Sequence, residues 1–253
     1  MGAAAKQINL LCIRNGCIDA VLQQLHTGIR MKIGLVYTST TPELIEMVET
    51  EVKKNVGPAA ELKMYQNPEV LAKTREAGYV TKEAAALLVE MFVQSIRDGA
   101  DAILNICSSV GEVADAVQDF AGYSGVPIVR IDEDMCREAV RLGKRIGVLA
   151  TLSTTLEPTK NTIKRVAREM DQHVVLVDGL IEGAFGLNQE EFKKLMLDKA
   201  EELKDQVDVI LFCQGSMAYC EALIQEACQK PVLSSPRFGA VALKEALQKK
   251  GVL

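Results

Sequence analysis

Asp101-Ala-Ile-Leu-Asn-Ile-Cys107-Ser-Ser-Val-Gly111 reads as a buried strand that ends on a thiol, two hydroxyls and a glycine, before a helical pattern begins. A second stretch, Asp208-Val-Ile-Leu-Phe-Cys213-Gln-Gly-Ser-Met217, is built the same way. On either side of these two, the chain alternates strand-like and helix-like runs. Strands are predicted over 32–37, 61–65, 126–131, 145–150, 173–178 and 231–234, besides the two cysteine strands. Helices are predicted after Pro42, from a Thr81 cap to Arg97, and over 112–120, 132–142, 158–170, 217–228 and 238–249, with another running from an Asn188 cap to Lys204. The segment around Asn67-Pro68 and Gly78 reads as a polar connection. Short apolar strands without polar alternation are those of parallel sheets covered on both faces.

The chain also repeats itself. Ile33-Gly-Leu-Val-Tyr-Thr-Ser-Thr-Thr and Ile146-Gly-Val-Leu-Ala-Thr-Leu-Ser-Thr-Thr lie 113 positions apart, and Cys107 and Cys213 lie 106 apart. The repeat implies two similar α/β halves. The expected fold is α/β with two pseudo-symmetric lobes, each a small parallel sheet flanked by helices, and an active site in the cleft between them. Residues 31–131 plus 235–253 form the first lobe and 132–234 the second. Residues 1–30 read as an N-terminal extension, either a decorative one or an arm that packs on a partner subunit of a homo-oligomer.

A chain of 253 residues, 48% hydrophobic and 25% charged with a net charge of −5, has the composition of a soluble globular protein. The acidic balance argues against nucleic acid as a partner. No apolar run nears the roughly 20 residues that span a bilayer, and the first residues lack a signal-peptide core. A cytoplasmic location with no membrane partner is the expectation. Seven cysteines without zinc-type spacing read as free thiols rather than disulfides or metal ligands. No dinucleotide fingerprint or phosphate loop occurs, and no lysine is marked for pyridoxal phosphate, so no cofactor is expected.

A cysteine at a buried strand end is ordinarily a small core hydrophobe. Repetition gives Cys107 and Cys213 another reading. Ligands of open α/β sheets bind beyond the carboxyl ends of strands. Both cysteines and the hydroxyl turns at 38–41 and 151–155 fall at such ends. Forming a thiolate at pH 7 costs about 2 kcal/mol, which a helix N-terminus and nearby donors can supply. A thiolate on one face of a substrate Cα–H and a thiol on the other would remove a proton and return it to the opposite face. The hydroxyl turns, with Ser108, Ser109 and Ser216, suit a substrate carboxylate and the enolate-like charge that develops on it.

IGLVYTSTTP, DAILNICSSVG, RIGVLATLSTT and VDVILFCQGSMAY together resemble the aspartate/glutamate/hydantoin racemase superfamily, over essentially Met31 to Leu253. The second cysteine segment and the threonine-rich turn at 151–155 are most similar to the hydantoin racemase branch. The resemblance implies a cofactor-independent racemase or epimerase of amino acids or their derivatives, taking a small carboxylate or hydantoin substrate. Cys107 and Cys213 would be its two acid/base residues. Thr38, Ser39, Ser108, Thr151, Ser153, Thr154, Gly215 and Ser216 would be its substrate contacts. Glutamate racemases carry Cys-Asn-Thr and Cys-Thr with a nearby histidine; here the residues are Cys-Ser-Ser and Cys-Gln-Gly-Ser, and neither His26 nor His173 is near. Arg130 and Arg237, near predicted strand ends, are candidates for binding a second carboxylate. Arylmalonate decarboxylases keep one of the two cysteines, so a pair counts against that chemistry. A maleate-type cis–trans isomerase with a cysteine nucleophile and a non-catalytic small-molecule binder are the alternatives.

Overall fold

The structure, a computed structural model, describes residues 30–253. The extension expected over 1–30 therefore lies, but for Arg30, outside the described residues. Among the described residues the chain folds into two four-stranded parallel sheets. The first holds β1 (Lys32–Tyr37), β2 (Glu61–Gln66), β3 (Ala102–Ile106) and β4 (Ile128–Arg130) in the order β2-β1-β3-β4. The second holds β5 (Arg145–Ala150), β6 (Val175–Leu180), β7 (Val209–Phe212) and β8 (Val232–Leu233) in the order β6-β5-β7-β8.

Between the strands of the first sheet run α1 (Pro42–Val56), α2 (Pro68–Ala77), α3 (Lys82–Arg97), α4 (Gly111–Ala116) and α5 (Gln118–Ser124). Then come α6 (Glu133–Leu142), α7 (Ser153–Glu169), α8 (Gln189–Leu203), α9 (Glu221–Cys228) and the C-terminal α10 (Ser235–Lys250). Helix α1 starts where the sequence says it should: Thr41 accepts from the Leu44 N–H at 3.2 Å and Pro42 fills the first turn. Helix α2 was not expected. Its signals are nonetheless present, since Asn67 caps it, Pro68 opens it, and Gly78 closes it at φ 80°. The helix expected over 112–120 is present as two short helices, α4 and α5, parted at Val117 and preceded by a 3-10 turn, Ser108–Val110.

The inner strands of each sheet are buried on both faces. Ile33, Leu35, Leu104 and Ile106 face α1 and α10, with Val48, Leu243 and Leu247 in the same cluster. Val36, Ile103 and Ile128 face α3 through Leu88 and Phe92. In the second sheet Ile146, Val148, Val209 and Leu211 face α6 and α7, and Leu149, Ile210 and Phe212 face α8 and α9. The C-terminal helix thus packs on the first sheet. Its approach is close at Gly239, where a Cβ would lie 2.6 Å from Ile131 Cγ1 and 2.9 Å from Ile131 Cα. Among the described residues no helix is long and apolar enough to cross a membrane.

Candidate active site

Both sheets point their carboxyl ends at one cavity of about 410 Å³, within the roughly 300–1,000 Å³ typical of small-molecule sites. Each of four strands contributes residues from the turn beyond its end. After β1 come Thr38, Ser39, Thr40 and Thr41; after β3, Cys107, Ser108 and Ser109. After β5 come Thr151, Leu152 and Thr155; after β7, Gln214, Gly215 and Ser216. The loop 185–188 and the start of α8 complete the wall.

Cys107 is where the sequence places it, at the cavity, half-buried, as the N-terminal cap of the 3-10 turn. Burial pushes its thiol up, while the Thr38 hydroxyl and the backbone N–H groups of Ser109 and Val110 pull it back down. Beneath that turn Gly111 is needed, because a Cβ would sit 2.4 Å from Arg130 Nη2. Ser109 Oγ meets Thr155 Oγ1 at 2.8 Å, a buried bridge between the turns of the two sheets.

Cys213 does not face the cavity. It is fully buried in the core between the second sheet and helices α6 and α7, with Met135, Cys136 and Leu211. Burial raises its thiol strongly, and its hydrogen-bond partner is Thr159. The reason is strand register. Ile33 pairs with Ala102 and Ile146 with Val209, so the equivalent of a residue in β3 lies 107 positions later in β7, not 106. Cys213 therefore matches Ile106, which is also a core residue. The residue matching Cys107 is Gln214. In a strand, one position is the difference between opposite faces.

Gln214 repeats the geometry of Cys107 in detail. It too caps a 3-10 turn, Gly215–Cys220, from an extended backbone. Thr38 is the hydrogen-bond partner of Cys107, and Thr151, 113 positions on, is the partner of Gln214. Gln214 Oε1 accepts from the Thr151 N–H at 2.8 Å, and Nε2 donates to Thr151 Oγ1 at 2.7 Å. The site thus has a thiol on one wall and a fixed carboxamide at the equivalent place on the other.

Of the expected contacts, Thr38, Ser39, Ser108, Ser109, Thr151, Gly215 and Ser216 line the cavity. Ser153 and Thr154 do not: α7 begins at Ser153, which turns that residue to solvent and Thr154 into the protein. Thr155, in the helix's first turn, reaches the cavity in their place. Arg130 and Arg237 are both engaged elsewhere. Arg130 is buried and donates to both Asp132 oxygens at 2.9 and 3.0 Å, to Asp115 at 2.6 Å and to Thr162 at 2.9 Å. Arg237 pairs with Glu221 and stacks on Phe238. His173 is exposed, away from the cavity. Sequence reasoning missed Gln214, Glu43, Asn188 and Tyr219 as cavity residues. No sequence signal singles them out: Cys213 is the residue directly beyond β7, and only the pairing of β5 with β7 makes Gln214 the match of Cys107.

Glutamate racemase from Bacillus anthracis superposes with a TM-score of 0.69 at 16% identity, covering 88% of this chain and 84% of that one. Allantoin racemase from Klebsiella pneumoniae gives 0.57 at 17%, covering 88% and 89%. Aspartate racemase from Picrophilus torridus gives 0.57 at 11%, covering 87% and 94%. At these identities the likeness is one of fold. A search of curated proteins returned no match. The model of the family described as Asp/Glu/Hydantoin racemase matches residues 33–243, both sheets and the cavity between them included. The chain belongs to the Asp/Glu/Hydantoin racemase family.

Proposed function

We propose that this chain is a cofactor-independent racemase or epimerase acting at the carbon next to a carboxylate or equivalent carbonyl of an amino acid or amino-acid derivative. Cys107 is its acid/base. The observation that carries this reading is the single thiol that lines the cavity among the described residues, held by Thr38 and two backbone N–H groups. Family membership and the racemase-like fold support it.

In this mechanism the Cys107 thiolate takes the α-proton, and the C–H electrons pass into the carbonyl as an enolate. Hydroxyls of Ser39, Ser108, Thr151 and Ser216 donate to its oxygens, where each hydrogen bond strengthens as charge develops. Gln214 joins them as a donor: one Nε2–H is engaged by Thr151, and the other has no partner among the described residues. A carboxamide neither takes nor gives a proton near neutral pH. Inversion then requires that the opposite face be protonated by water, or that the intermediate turn against the same thiol. This is a one-thiol mechanism, in place of the symmetric pair expected from sequence.

A second reading is favoured by the same substitution and by the raised Cys107 thiol, which keeps its proton at neutral pH. In it, loss of CO2 from a substituted malonate leaves the electron pair on carbon, and the Cys107 S–H protonates it from one face. Incubation in heavy water with amino acids, 5-substituted hydantoins and arylmalonates separates the two. Racemisation shows Cα deuterium incorporation in step with loss of optical rotation. Decarboxylation shows CO2 release with a single product enantiomer. Cys107→Ala should abolish whichever occurs, and full activity in that variant would refute both.

A further inference from the structure

The cavity has two chemically different parts. Hydroxyls and amides line the strand ends, while Leu44, Leu71, Phe185, Leu187 and Phe192 form an apolar side. Leu71 and Arg75 share one face of α2, and Arg75 stacks on the Phe185 ring at 4.5 Å, so Leu71 and Phe185 are neighbours across the mouth. Leu44, Leu71 and Phe192 are buried, whereas Phe185 and Leu187 keep 40% and 39% of their surface exposed. The loop carrying these two residues is fastened across the mouth a second time, by Gln189 donating to Glu43 at 2.7 Å.

Charge is equally one-sided. Among the described residues no lysine, arginine or histidine lines the cavity, and the one charged side chain that does is Glu43. Its own backbone N–H, the Thr41 hydroxyl and Gln189 hold it ionised, below the usual carboxylate range. Arg130 and Arg237 are paired elsewhere, and Arg75 lies on Phe185 without lining the cavity. A substrate whose side chain carries a carboxylate would find no cation for it on these walls and an anion at the mouth. Desolvating an unpaired carboxylate is strongly unfavourable.

We infer that the substrate has a single carboxylate or imide head, held by the strand-end hydroxyls, and an apolar substituent of leucine to phenylalanine size, held by Leu44, Leu71, Phe185, Leu187 and Phe192. This rests on the proton-transfer reading above for the orientation of the head toward Cys107. It sets acidic amino acids, and unsaturated dicarboxylates, outside the substrate range.

The test uses two matched pairs, phenylalanine against glutamate and 5-benzylhydantoin against 5-(2-carboxyethyl)hydantoin. With the full chain, Cα exchange in heavy water should favour the benzyl member by about 100-fold in kcat/KM in whichever series reacts. Phe185→Arg, at a half-exposed position that tolerates charge, should cut the benzyl rate about 10-fold and raise the carboxyethyl rate. Calorimetric binding of the same four compounds to Cys107→Ala separates specificity from chemistry. Benzyl compounds binding there while wild type exchanges none of the four would uphold the substrate class and sink proton transfer alone. Equal or tighter binding of the carboxyethyl compounds, no binding of any, or glutamate turnover lost in Arg75→Gln would each overturn the inference.

Discussion

Cys213→Ala separates the one-thiol site from a two-thiol site. Cys213 is fully buried against Met135, Cys136 and Leu211, so removing its sulfur deletes one buried heavy atom from a packed core. A group of that size is worth about 0.8 kcal/mol in transfer, and the residual cavity brings the loss to about 1–2 kcal/mol. In a chain of this length that lowers the melting temperature by about 2–8 °C. Because the side chain lies in the core and does not line the cavity, the rate of Cα exchange or decarboxylation at 25 °C should stay within about twofold of wild type. Cys107→Ala gives the opposite pattern: a rate loss of at least about 100-fold, as for removal of a general acid/base, with little change in stability. Circular dichroism melts and proton NMR in heavy water measure both quantities on the same samples. A Cys213→Ala protein that melts within a few degrees of wild type yet loses activity 100-fold would refute the register argument and restore the thiol pair.

Gln214→Cys restores a thiol at the position matching Cys107. Protonation of the opposite face should then speed racemisation relative to Cα exchange, read as the ratio of optical-rotation loss to deuterium uptake; an unchanged ratio would count against the equivalence. The pH profile separates the two chemistries, because the Cys107 thiol lies above its ordinary value. A base must be deprotonated, so racemase activity should climb through pH 8 and beyond, whereas an acid-catalysed decarboxylation should fall there. The buried thiols Cys136 and Cys213 are raised in the same sense, so they favour the folded state fully below the ordinary thiol pKa of about 8.5. That stability should be lost as pH rises above it, visible as a falling melting temperature. Arg130→Ala leaves Asp132 buried without its partner and should cost about 3–5 kcal/mol, seen as a lowered urea midpoint. Thr162 and Asp115 lose their contacts in the same variant.

The fold was largely legible because its determinants are local. Continuous apolar runs such as Ile33–Tyr37 and Ile146–Ala150 can only be strands covered on both sides, and Thr41, Thr81 and Asn188 cap helices through their own side chains. Helix α2 was carried by Asn67, Pro68 and Gly78, but its weak apolar stripe left those three reading as a loop. The turn chemistry at Thr38 and Thr151 was equally plain, since the turn after a parallel strand lies at the carboxyl end of its sheet. The hydroxyl turns, the first thiol and the family likeness were therefore all contained in the sequence.

Tertiary structure alone decided the second half of the site. Cys213 and Gln214 are adjacent, and either one fits the end of an apolar run; only the pairing of Ile146 with Val209 fixes which points into the cavity. Aligning the repeat on matching cysteines put it one residue out of register, and one residue reverses a side chain in a strand. Arg130 illustrates the same limit, since a strand-end arginine suits a carboxylate until Asp115 and Asp132, brought in from α4 and the end of β4, are found already holding it. Periodicity and capping act along the chain and can be read there. Which face a strand end presents, and which charges are already spent, depends on partners distant in sequence.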